Sequence, residues 1–157
     1  MTTLIRAAVS ENNKYHIDKH RHYELKHFCL QYPRWKKEYK EYTDIGPNLS
    51  RFEALYSGNS HSDPVFNWVA KREYYAERIK LVEQAAMDTD TELWSYILTG
   101  VTNGVSYTYL KNILQIPCSR DTYYRRYRKF FWILNELRDW YVRSKNTSYY
   151  GKKPIRR

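Results

Sequence analysis

The chain has 157 residues, enough for one domain or two small ones around a modest core. No run approaches the roughly 18 apolar residues of a membrane span, and the first residues lack the apolar core of a signal peptide, so a cytoplasmic chain outside the membrane is expected. The net charge of +10 points to an anionic partner, and its placement sharpens this: residues 119–157 hold twelve Lys and Arg against three acids, a net +9, which leaves +1 for residues 1–118.

Residues 1–13 read as a weakly helical lead. Residues 14–43 read as helical, with Tyr23, His27 and Leu30 on one stripe and Leu25, Phe28 and Tyr32 on the next. Pro33 should kink or split that stretch, because it removes a backbone donor and clashes with the preceding turn. Trp35, Tyr39 and Tyr42 then share one side of the following helix. Residues 44–63 carry Gly46-Pro47 and Ser57-Gly58-Asn59-Ser60, which are loop signals, with one short helical turn expected at 51–56. This is the expected boundary between an N-terminal helical module, residues 1–62, for dimerisation or partner contact, and a C-terminal module, residues 63–143.

Asp63-Pro64 reads as a cap followed by proline in the first helical turn. The helix should run to about residue 87, with Val65, Trp68, Val69, Tyr75, Ala76, Ile79, Val82 and Ala86 inward. Asp88-Thr89-Asp90 should end it and cap a helix over 91–98, closed by Gly100. Ser106 caps a helix over 107–114, and Ile116-Pro117-Cys118 forms a short break. Ser119 opens a final helix over 119–143, with Asp121 in its first turn. A basic tail, residues 144–157, follows. The expected fold is all-α: a helical bundle ending in a helix-turn-helix with a long recognition helix.

In such a motif the second helix meets base edges through its N-terminal turns. Its inward set would be Tyr123, Tyr127, Phe130, Phe131, Leu134 and Leu137. Ser119, Arg120, Thr122 and Tyr124 then lie where bases are reached, and an arginine there can take guanine bidentately. Arg125, Arg126, Arg128 and Lys129 are the expected phosphate contacts, which supply affinity without sequence.

Other chemistry is sparse. His16, His20, His22 and His27 lack the cysteine or carboxylate partners of a zinc site and read as surface histidines, so no metal is expected. Cys29 and Cys118 have no CxxC spacing and read as thiols. The 17 Tyr fall mostly at helical spacing and read as core and rim packing. There is no Walker loop, GxSxG or HExxH, so neither enzymatic activity nor a cofactor is expected.

Residues 116–134, IPCSRDTYYRRYRKFFWIL, resemble phage-encoded late-transcription regulators of Gram-positive bacteria, the ArpU/RinA-like group with its LtrC-type members. The shared pattern falls on Ser119, Arg120, Thr122, Tyr123, Tyr124, Arg126, Arg128, Lys129 and Phe130, after a hydrophobic-Pro turn. The order of elements over residues 63–140 is similar too, and the C-terminal motif is similar to region 4 of sigma factors. The resemblance implies a DNA-binding activator of phage packaging and structural genes in a bacterial host cell. The partners to expect are double-stranded DNA, host RNA polymerase, a second copy of the chain, and a small regulatory protein from a mobile element. The alternatives are a terminase small subunit for DNA packaging, and a protein-interaction or antagonist domain on a helix-turn-helix scaffold.

Overall fold

The computed structural model describes residues 12–44 and 64–150, with no side-chain detail at 64 or 147–150. The described residues are all-α, and none of their helices is long and apolar enough to cross a membrane. The turn expected at 51–56 and the Asp63 cap lie outside them.

The first helix, α1, spans Lys19–Leu30 and begins later than residue 14. The delay is local chemistry. The Asn13 side chain accepts the Tyr15 N–H at 3.0 Å and closes a turn, and Asp18 then caps α1 by accepting from His20 and Arg21 N–H at 2.9 and 3.3 Å. The second helix, α2, spans Tyr32–Asp44. The split falls at Gln31, which puts Pro33 in the first turn of α2, where a missing N–H costs nothing.

Helix α3, Pro64–Thr89, runs antiparallel to α2, since Tyr32 meets Glu83 while Tyr42 stacks on Tyr75. Its buried residues are Trp68, Ile79, Val82, Ala85, Ala86 and, at its last position, Thr89. Val65 and Val69, expected inside, are 40% and 39% exposed, because the inward stripe passes through Trp68 instead. After Thr89 the Asp90 side chain accepts from the Glu92 and Leu93 N–H groups, both at 3.0 Å.

Helix α4 is Trp94–Asn103, later and longer at its end than expected. Gly100 does not close it. That glycine is buried inside the helix, where a side chain would overlap the Tyr123 hydroxyl; the stop is Gly104, at φ +65°. Helix α5, Tyr107–Asn112, is capped by Ser106 and stops two residues short of 114. Gln115 adopts φ +55°, which returns the Ile116 N–H to the Leu110 carbonyl at 3.0 Å and buries Ile116 completely.

The last helix, α6, is Arg120–Tyr150, seven residues longer than the expected end at 143. It runs antiparallel to α3: Lys129 meets Thr89, and further on Tyr141 and Lys145 meet Glu77. The Lys145 contact lies beyond Arg143, in the stretch expected as a tail. Tyr123, Tyr127, Phe130, Phe131 and Leu134 are buried and Leu137 packs at their edge, the expected inward set. Residues from all six helices of the described segments form one core, which holds Leu25, Cys29 and Trp35 together with Ile97, Leu110 and Phe130. The boundary expected near residue 62 is outside the described residues, but the helices on either side of it share this core.

Candidate nucleic-acid interface

Three contacts set α5 against the start of α6. Leu110 and Ile116 are fully buried below the connection. The Tyr107 hydroxyl donates to the Cys118 carbonyl at 2.7 Å, and the Tyr107 ring lies 5.8 Å from that of Tyr123. Lys111 donates to the Ile116 carbonyl at 3.5 Å. The connection between the two helices is residues 113–119, longer than the break expected at 116–118, because α5 ends early and Gln115 takes up the turn.

Ser119 caps α6. Its Oγ accepts the Thr122 N–H at 3.2 Å and donates to Thr122 Oγ1 at 3.0 Å, so both hydroxyls serve the first turn. Arg120 is exposed, with its guanidinium 5.7 Å from the Tyr124 ring. Tyr124 is half-buried, edge-on to Tyr123 at 5.1 Å and to Tyr127 at 6.0 Å. These four residues lie together at the exposed start of the helix.

The four cations expected to grip phosphate fall into two pairs. Arg125 and Arg128, three residues apart on the outer face, make no ion pair or hydrogen bond from their side chains among the described residues. Arg126 and Lys129 point the other way, to the α3–α4 junction. Arg126 Nε meets Asp90 Oδ2 at 2.7 Å, and Lys129 Nζ donates to the Thr89 carbonyl at 2.8 Å. Burial works to raise the Asp90 carboxyl. The Leu93 and Glu92 N–H groups and the Arg126 guanidinium outweigh it and hold Asp90 below the usual carboxylate range.

The same pairing recurs along α6. Arg138 meets Glu24 at 2.9 Å and Lys145 meets Glu77 at 2.9 Å. The hydrogen bond from Arg21 dominates in lowering the Glu24 carboxyl, with Arg138 adding to it. Acids of the first 118 residues thus offset part of the basic excess of the last 39. Sequence reasoning missed these partners, since each pair joins residues 36 or more positions apart.

His22 is not a surface histidine. It wedges between α1 and α6, with ring centroids 4.6 Å from Phe131 and 6.3 Å from Tyr127, and this burial lowers its pKa from the ordinary 6.5. Cys29 and Cys118 are free thiols; burial pushes both pKa values up, that of Cys29 far more. Also unforeseen, the segment between Asn13 and α1 places Tyr15 against Trp132 on the outer face of α6, with ring centroids 5.8 Å apart.

No family model matches the chain, and no curated protein and no solved structure matches it.

Proposed function

We propose that this chain is a sequence-specific, double-stranded DNA-binding transcription regulator in which α5 and α6 act as a helix-turn-helix. One observation carries the proposal. The capped, exposed start of α6 presents Arg120, Arg125 and Arg128 with no acidic partner among the described residues, while neighbouring cations of the same helix are paired inward. Unpaired arginines at the exposed start (Arg120) and on the outer face (Arg125 and Arg128) of a well-buried helix suit a polyanion. In this reading Arg120, beside Ser119, Thr122 and Tyr124, reads a base edge. Arg125 and Arg128 hold phosphates. Arg126 and Lys129 act from behind, fixing the angle at which α6 leaves the α3–α4 junction.

Activation of phage late genes through the host RNA polymerase rests on the resemblance of residues 116–134, and a homodimer is part of the same proposal. A second reading, a protein-interaction domain, is favoured by one observation: Tyr109, Ile113 and Leu114 are 44%, 62% and 37% exposed on α5 and just after it.

The test is selection of bound fragments from the source phage and host genomes with purified protein at near-physiological salt. One enriched site ahead of a late operon, lost with Arg120→Ala, is the expected result. A bidentate arginine–guanine contact is worth about 1–3 kcal/mol of discrimination. Enrichment at a packaging start would make the protein a terminase small subunit, and no enrichment would transfer the function to the apolar strip on α5.

A further inference from the structure

Tyr15, in the segment between Asn13 and α1, lies on the same face of α6 as Arg125 and Arg128. The path of this segment is held at several points. The Asn13 turn accepts the Tyr15 and His16 N–H groups at 3.0 and 2.9 Å, Ile17 packs against the core, and Asp18 caps α1. Between these points the Tyr15 ring rests against Trp132, tilted at 59°, and the Lys14 ammonium stands 4.9 Å from the Tyr15 centroid. Trp132 follows Arg128 by four residues and Arg125 by seven, so the three share one stripe. At 1.5 Å per residue that stripe is about 10 Å long. Lys14 is therefore linked through the Tyr15 ring to the Trp132 end of the stripe that carries Arg128 and Arg125, and none of the three has an ion-pair partner among the described residues. Asp121 and Glu136, one turn beyond either end of the stripe, make no ion pair with it.

We propose that the Lys14–Tyr15 turn is a second, sequence-distant part of the DNA interface, in which Lys14 takes a phosphate of the strand that Arg125 and Arg128 follow. The proposal rests on the DNA-binding reading above. The stripe runs about 10 Å from Arg125 to Trp132, about three of the ~3.4 Å axial steps between successive phosphates of one strand. Charge contact suits this surface better than base stacking. The Tyr15 and Trp132 rings are half-buried against each other, so they brace Lys14 rather than offer an open platform to an unpaired base.

The experiment measures binding of the full chain to a random-sequence duplex across a salt series, with Lys14→Ala, Arg128→Ala and Tyr15→Phe as variants. Each phosphate contact contributes about 0.9 to the slope of log affinity against log salt. Lys14→Ala and Arg128→Ala should each flatten the slope by about that amount, and Tyr15→Phe should leave it unchanged. If Arg128→Ala flattens the slope and Lys14→Ala does not, the proposal is overturned while the DNA-binding reading stands. If the unmodified chain shows no salt-dependent duplex binding, both fall. Tighter binding to a single strand than to the duplex would overturn the phosphate row in favour of stacking on Tyr15 and Trp132.

Discussion

The two halves of α6 are both basic and aromatic, yet the fold uses them differently. In the second half Arg138 and Lys145 reach acids of α1 and α3. In the first half only the inward-pointing Arg126 and Lys129 are engaged with the body of the protein, and Arg120, Arg125 and Arg128 are left on the outside. Net charge along the chain therefore does not locate the candidate interface. Among the described residues of α6, the unpaired arginines of its first half do, and they span about three turns. Pairs as exposed as Lys145–Glu77 stabilise by well under 1 kcal/mol, so both halves depend on the rings beneath them for their position.

Four substitutions or conditions would break or sharpen that contrast. The largest effect is expected from Phe130→Ala, because the ring is fully buried in the core shared by both halves. A loss of about 3–5 kcal/mol is expected in urea unfolding. It should appear as one transition; two separate transitions would show that the halves are not held by a common core.

Asp90→Asn keeps an acceptor for the Glu92 and Leu93 N–H groups but removes the charge facing Arg126. Stability should fall by about 1–2 kcal/mol. If Arg126 is then released to the outer set, the salt slope for duplex DNA should steepen by about one; an unchanged slope would mean that Arg126 cannot reach the nucleic acid.

Tyr123→Phe should act in the opposite sense. The Tyr123 hydroxyl is buried against Gly100 without a hydrogen-bond partner. Removing it should stabilise the fold by about 1 kcal/mol with DNA affinity unchanged, and a destabilised variant would reveal a partner for the hydroxyl.

The smallest effect concerns pH. His22 titrates below its ordinary 6.5 because burial disfavours the imidazolium, so the folded state resists a proton that the unfolded chain accepts. Stability should be unaffected by His22 above that value and decline as the pH drops below it. The lowered carboxyls of Glu24 and Asp90 extend the decline into the carboxylate range. In His22→Phe the urea midpoint should hold steady from pH 7.5 down to about 5.5. The same early decline in the variant would assign it to other groups.

Much of the local structure was legible. Ser106 and Ser119 cap the helices that follow them, Pro33 lies just after a helix break, and Tyr123, Tyr127, Phe130, Phe131 and Leu134 face inward as their spacing implies. Gly100 was misread as a helix stop because a glycine near the end of an apolar stretch has the same local signature whether it turns the chain or makes room for a ring. The left-handed Gln115 carried no signal at all, since nothing in its type favours that conformation.

The site divides in the same way. Caps, periodicity and helix starts depend on atoms within about four residues, so the sequence by itself determined an all-α chain with a capped basic helix near its end. Whether a cation on that helix is spent or free depends on which other helix it meets, and Arg126 with Asp90, Arg138 with Glu24, and Tyr15 with Trp132 are brought together only when the core closes. Tertiary structure alone therefore decided which arginines remain for a partner, because an ion pair is fixed by distance in space and carries no local pattern along the chain.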